Sequence, residues 1–195
     1  MPPHHERTAK PMTETHFNQL LATIKGTNTK LLPGFIIDSP WLPNWAGISF
    51  MDYFSNEEKW YQSNLLAAKT FPDAIFLPGF WSEFGMCTEP SAFGARCRFR
   101  ENEFPHAYKL IDSIDEVDKL SVPKVDQDGF LPYMIKRLQH CQKAMNQEGH
   151  HIKFSVSRGP LNIATYLMGT TEFLMAMMME PVKTHKLIRI VTDFL

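Results

Sequence analysis

Ser157-Arg158-Gly159-Pro160-Leu161-Asn162-Ile163-Ala164-Thr165-Tyr166-Leu167-Met168-Gly169-Thr170-Thr171 is the stretch on which the reading of this chain turns. Just before it comes Ile152-Lys153-Phe154-Ser155-Val156, a β-prone run with the period-2 look of a strand. The Arg-Gly-Pro that follows breaks it, because Gly takes backbone angles other residues avoid and Pro fixes φ and lacks an N–H. Pro160 suits the first turn of a helix, where the missing N–H has no intrahelical partner anyway. The stretch predicts strand, sharp turn, helix. In a parallel barrel or doubly wound sheet, ligands sit at that junction.

Working outward, Phe130 to Asn146 carries Leu131, Met134, Ile135, Leu138 and Met145 on one side and predicts a long helix ended by Gly149. Thr15 to Lys25 repeats the pattern with Phe17, Leu20, Leu21 and Ile24, and Gly26 stops it. Leu31 to Ile37 and Asp73 to Leu77 read as strands. Between them, Ser55-Asn56-Glu57-Glu58 marks a helix start that runs to about Thr70, with a capping side chain and acids near the positive end of the dipole. The loop from Asp38 to Gly47 holds Trp41 and Trp45, which cap a core or line a pocket mouth.

Phe80 to Pro105 reads as a long loop with Glu83 and Glu89, and long loops in compact domains are often functional. Within it, Arg96, Arg98 and Arg100 alternate as on a strand with solvated charges. Asp112 to Leu120 predicts a short acidic helix. Two further helices begin after Thr170-Thr171-Glu172, where Met175 to Met179 reads as core filler, and around Pro181.

A chain of 195 residues, 44% of them hydrophobic, has enough apolar mass for one soluble globular domain. A net charge of −1 argues against nucleic-acid binding, which needs a clustered basic footprint. The three cysteines, Cys87, Cys97 and Cys141, show no CxxC spacing, so free thiols in an intracellular chain are expected, without a disulfide framework or a local zinc knuckle. No apolar run reaches the length of a membrane span. Residues 1 to about 12 lack the apolar core of a signal peptide and read as a disordered leader, leaving the cytoplasm as the expected compartment.

The order of elements alternates helix and strand, which implies a parallel sheet with outer helices. Only about three core strands are visible, whereas a closed eight-stranded barrel needs roughly 200 to 250 residues. The expectation is the N-terminal portion, residues 13–195, of a larger barrel.

The sequence resembles the uroporphyrinogen decarboxylase superfamily, which includes the methylcobamide:thiol methyltransferases. The residues that carry the match are Gly159 to Gly169, Thr171 to Leu174, Glu180-Pro181 and Ile188 to Leu195. A second match is Phe71 to Pro78 with Gly85-Met86, and Pro33 to Ile37 is a weaker third. The resemblance implies a (β/α)8 TIM barrel, of which this chain resembles the N-terminal half. It also implies catalytic roles for Asp73, as the carboxylate that holds pyrrole N–H groups, and for Tyr166 beside it. Asp73 also reads as an exposed strand-start residue, and Tyr166 as a helix residue whose hydroxyl finds a carbonyl.

One departure bears on the substrate. The decarboxylase holds its polycarboxylate substrate with arginines just after the first strand, where this chain has Asp38, and no arginine occurs between Arg7 and Arg96. An acid in place of a carboxylate clamp reverses the interaction. Arg158, beside the Gly-Pro turn, is the best placed to compensate, and also reads as half of an ion pair at a strand end. Arg158, Trp41 and Trp45 are the candidate substrate-binding residues.

The expected function is therefore a tetrapyrrole enzyme of this family, a porphyrinogen decarboxylase or a corrinoid-dependent methyltransferase, with the missing clamp favouring the second. Its partners would be a tetrapyrrole substrate or a corrinoid protein, with a homodimer as a further expected assembly. The methyltransferase branch would add a zinc ion and a corrinoid, but no cysteine here matches its ligand pattern, so no metal and no cofactor is assigned to these residues. The alternative is a non-catalytic half barrel that needs a second half or a partner.

Overall fold

The computed structural model describes residues 13–36 and 40–195. The leader at residues 1–12 and the position of Asp38 lie outside them. The chain divides into two compact units, residues 1–82 with 137–156, and residues 83–136 with 157–195.

The first unit contains α1 (Glu14–Ile24), β1 (Gly34–Ile36), α2 (Leu42–Ala46), α3 (Phe50–Ser55), α4 (Glu57–Thr70) and β2 (Ile75–Leu77). β1 and β2 pair in parallel, Gly34 with Ile75, Phe35 with Phe76 and Ile36 with Leu77. Parallel strands need a crossover rather than a tight turn, and α2 to α4 supply it. α4 begins where the acids predicted, because the Asn56 side chain accepts a hydrogen bond from the Lys59 N–H at 2.9 Å. Its buried face, Trp60, Tyr61, Asn64, Leu65, Ala67 and Ala68, follows the helical repeat. Trp60 is fully buried and its indole N–H reaches the Trp81 carbonyl at 3.3 Å. Arg137 enters this core from α6 (Leu131–Gln147), donates to the Phe54 carbonyl at 2.5 Å and lies 5.4 Å over the Trp60 ring.

The second unit holds α5 (Thr88–Ala92), the hairpin β3 (Cys97–Arg100) with β4 (Glu103–Ala107), a 3-10 turn at Ile114–Lys119, α7 (Pro160–Met168), α8 (Thr170–Met179) and α9 (Pro181–Phe194). Ile163, Ala164, Leu167 and Met168 on α7 pack with Phe173, Ala176, Leu187, Val191, Ile111, Ile114 and Val117. The Leu167 carbonyl, among those the helix end leaves free, accepts from the Leu110 and Ile111 N–H groups at 2.7 and 3.0 Å. Lys183 and Lys186 on α9 pair with Asp115 and Asp118 on the 3-10 turn.

Five expectations are corrected. Ile152–Val156, expected as a strand, has no ladder partner among the described residues and forms none, since a strand exists only through its neighbour's hydrogen bonds. Among the described residues the third core strand is therefore missing, and two parallel strands are seen. The Phe80–Pro105 loop holds α5 and most of the hairpin, in which Cys97–Arg100 shows the expected half-buried, exposed alternation. Within the Trp-rich loop, Leu42–Ala46 is helical, with Pro43 in its first turn. The methionines of α8 are not core filler: Met178 and Met179 are 86% and 71% exposed, and only Phe173 and Ala176 of that helix are buried.

Candidate functional site

The Gly-Pro turn sits as expected. Gly159 is extended at the N-terminal cap and Pro160 opens α7. What holds the turn is a buried ionic cluster in the second unit. Arg158 donates from Nη1 to Glu89 Oε2 at 2.9 Å and from Nη2 to Glu83 Oε2 at 3.3 Å. Its backbone N–H reaches Glu89 Oε1 at 3.0 Å, so one carboxylate grips both the main chain and the side chain of the turn.

Glu83 and Glu89 retain 2% and 5% of their exposure, and both face one guanidinium. Burial opposes the charge on Arg158, but the two carboxylates outweigh it and hold its pKa above the ordinary arginine range. One guanidinium thus serves two carboxylates where the dielectric is low, which makes its removal costly.

Local structure explains how two acids come to be buried. Glu89 lies in the first turn of α5, where backbone N–H groups favour an anion. The Thr88 hydroxyl accepts from the Phe84 N–H at 2.8 Å and donates to the Gly85 carbonyl at 3.3 Å, tying the Glu83 segment to the helix start. Gly85 has φ of +57°, and a Cβ there would meet the Phe104 ring at 3.0 Å. Ser91 accepts from the Phe130 N–H at 3.0 Å and anchors the other end of α5.

Tyr166 lies on α7 and is half-buried. Its hydroxyl donates to the sulfur of Met86 at 2.6 Å, and it interacts electrostatically with Arg158. Arg158 and Tyr166 are thus brought together with Glu83, Met86 and Glu89. The other three sequence candidates belong to the first unit. Asp73 lies in the turn that precedes β2, at the N-terminal end of the strand, where its charge acts on His16. Trp41 donates its indole N–H to the Ile36 carbonyl at 3.1 Å and meets Trp45 edge-on at 5.8 Å. Trp45 continues an aromatic row to Phe71 and Phe35, and 40% of its surface is exposed.

Glu83 and Glu89 were visible in the sequence only as loop acids. The available signal was their setting, each beside Phe or Pro in an apolar stretch without a neighbouring base. Among the described residues, no three His, Cys, Asp or Glu side chains converge as metal ligands. These residues therefore do not fit a zinc centre.

A family model described as Uroporphyrinogen decarboxylase (URO-D) matches residues 15–195. A uroporphyrinogen decarboxylase from Hydrogenovibrio crunogenus is 31% identical over 152 residues, covering 74% of this chain and 40% of that protein. Among solved structures, a methyltransferase from Methanosarcina mazei is similar with a TM-score of 0.64 at 17% identity, over 94% of this chain and 53% of that one. The chain spans about half the length of the proteins it matches.

Proposed function

This chain belongs to the uroporphyrinogen decarboxylase family, and from that premise we propose that it is part of an enzyme that takes a corrinoid and serves methyl transfer rather than porphyrinogen decarboxylation. The supporting observation is the state of Arg158, whose guanidinium is engaged by Glu83 and Glu89. A porphyrinogen to be decarboxylated presents carboxylates, which require cationic partners. The other arginines from 96 to 137 have partners of their own. Arg96 lies 5.6 Å over the Tyr108 ring, Arg98 and Arg100 pair with Glu103, and Arg137 is buried against Phe54. A corrinoid carries amides at its rim, whose N–H groups are donors suited to a carboxylate-rich site.

In this reading Arg158 and Glu89 fix the turn, and Tyr166 is the pocket residue with a hydroxyl to offer. Asp73 acts as a strand-start residue, because barrel enzymes place their chemistry at the opposite, C-terminal ends of the strands. The barrel itself, with this chain as its first half, belongs to the same proposal and is supported by the parallel β1–β2 pair joined through helices. So do a cytoplasmic setting and a corrinoid protein as methyl source.

The test is anaerobic equilibrium binding of methylcobalamin and of uroporphyrinogen to the 195-residue chain. Binding of methylcobalamin without uroporphyrinogen is the expected result. The reverse, or binding of neither, removes the reading for this chain.

A second reading, a half barrel that acts only once other strands join it, is favoured by β1. That strand is exposed along its whole length, with Phe35 46% and Ile36 55% accessible, and an open parallel edge of this kind invites pairing. Monomeric, cooperative unfolding of the chain would remove this alternative.

A further inference from the structure

A cavity of about 350 Å³ in the first unit is lined from α4 by Glu57, Glu58 and Tyr61, and from α6 by His140, Cys141 and Ala144. None of the six takes part in the Arg158 cluster. Helical spacing gathers them. Tyr61 stands one turn beyond both acids, four residues after Glu57 and three after Glu58, and Ala144 stands in the same relation to His140 and Cys141.

The polar groups of this cavity are short of partners. Among the described residues, neither Glu57 nor Glu58 pairs with a lysine or arginine. Glu58 accepts from the neutral Gln62 amide at 2.8 Å, and Glu57 lies 3.9 Å from His140 Nε2. Arg137 feels the Glu57 charge from the core side, but its guanidinium donates to the Phe54 carbonyl. Tyr61 is 7% exposed and its ring stacks on Phe80 at 5.5 Å, yet its hydroxyl has no hydrogen-bond partner among the described residues. Burial pushes the pKa of that hydroxyl up, and Glu148, Cys141 and Glu58 act in the same direction, so the oxygen points among the lining residues as a neutral phenol. A nearly buried hydroxyl left in this state calls for a partner from outside the chain.

We propose that this cavity is a binding site for a primary alkylammonium ion. An ammonium group carries three donors and no acceptor, and the cavity offers two carboxylates and the lone pairs of the Tyr61 hydroxyl. Cys141 and Ala144 supply an apolar wall for the alkyl stem. The volume lies at the small end of ligand sites. A metal ion is a poorer match, because among the described residues no three His, Cys, Asp or Glu side chains converge on one point. An organic cation with a stem needs no such convergence. Acids in the first turn of a helix also offset its dipole, but that accounts for neither the cavity nor the unpartnered phenol.

The experiment is calorimetric titration of the full folded chain with n-butylammonium at low salt, with n-butanol as the uncharged match and proton NMR of the histidine rings as a second readout. The expected result is saturable binding of butylammonium at one site, none of butanol, and a shift of the His140 ring signals that those of His185, in the second unit, do not share. Glu57→Gln/Glu58→Gln should weaken binding by at least about tenfold through loss of charge-assisted hydrogen bonds. Tyr61→Phe should weaken it by about fivefold and leave the denaturation midpoint in place, since the hydroxyl has no partner to lose. If the double variant does not fold, the His140 signals of the wild-type chain decide. No saturable butylammonium binding, equal binding of butanol, unmoved His140 signals at saturation, or full affinity in either variant would each overturn the proposal.

Discussion

Replacing Arg158 by Met keeps an unbranched apolar stem and removes the guanidinium with its charge and hydrogen bonds. Glu83 and Glu89 have side chains 3% and 7% exposed, so Arg158→Met takes the guanidinium away from two carboxylates held out of water. The contacts at 2.9 and 3.3 Å to their oxygens disappear, while the backbone N–H of residue 158 still reaches Glu89. Breaking a buried ion pair by removing one partner costs about 3 to 5 kcal/mol. For a chain of this size that corresponds to a melting temperature lower by roughly 6 to 20 °C. Glu89→Gln neutralises one of the two carboxylates instead. It keeps the Glu83–Arg158 pair and costs about 1 to 3 kcal/mol through weakened hydrogen bonds. Combining the two changes should recover about 1 to 3 kcal/mol relative to additivity, because they act on one network. Urea denaturation followed by far-ultraviolet circular dichroism reads all three variants. An Arg158→Met variant within about 1 kcal/mol of wild type, or no more damaging than Glu89→Gln, would refute the claim that this cation balances the cluster.

Three further outcomes are expected. Gly129→Ala should destabilise by about 3 kcal/mol or more by denaturant titration, because φ there is +58° and a Cβ would meet the Ser91 and Ala92 backbone at 2.5 Å; a cost under about 1 kcal/mol would contradict that geometry. His16 is held below its ordinary pKa of 6.5 by burial, with Asp73 opposing. The unfolded chain therefore takes up the proton first, and stability should fall as pH drops through the ordinary pKa of 6.5. His16→Gln should flatten that dependence, and a profile unchanged by the substitution would show that the imidazole is not its source. Tyr166→Phe should alter stability by no more than about 1.5 kcal/mol yet weaken methylcobalamin binding by about tenfold, the worth of one hydrogen bond. An unchanged affinity would remove Tyr166 from the pocket.

Three helix starts were legible in the sequence from a local signal, whereas Pro43 and Ser49 open short helices that were not read. Asn56 ahead of two glutamates, Pro160 and Pro181 each mark a start that depends on neighbouring residues alone. The strands were less so, because a strand is made by its partner. Ile152–Val156 has the propensity and lacks the ladder, whereas Cys97–Arg100 owes its pairing to the returning Glu103–Ala107. The candidate site was half legible. Arg158 stood beside a conspicuous Gly-Pro turn, but the acids that engage it come from about 70 residues earlier, at separations of 69 and 75. The local sign that Glu83 and Glu89 are buried was their apolar setting beside Phe84 and Pro90. The absence of arginines between Arg7 and Arg96 pointed away from a polycarboxylate, and the pairing of Arg158 gives that pattern a physical basis.

The most direct test of that basis is a comparison of methylcobalamin and uroporphyrinogen affinities, anaerobically and at low salt, for the wild-type chain, Arg158→Met and Glu83→Gln/Glu89→Gln. The expected result is preference for the corrinoid in wild type, no uroporphyrinogen binding for Arg158→Met to lose, and a narrower gap once both carboxylates are neutral. Tight uroporphyrinogen binding by the wild-type chain that vanishes in Arg158→Met would contradict it, because Arg158 would then be a carboxylate clamp.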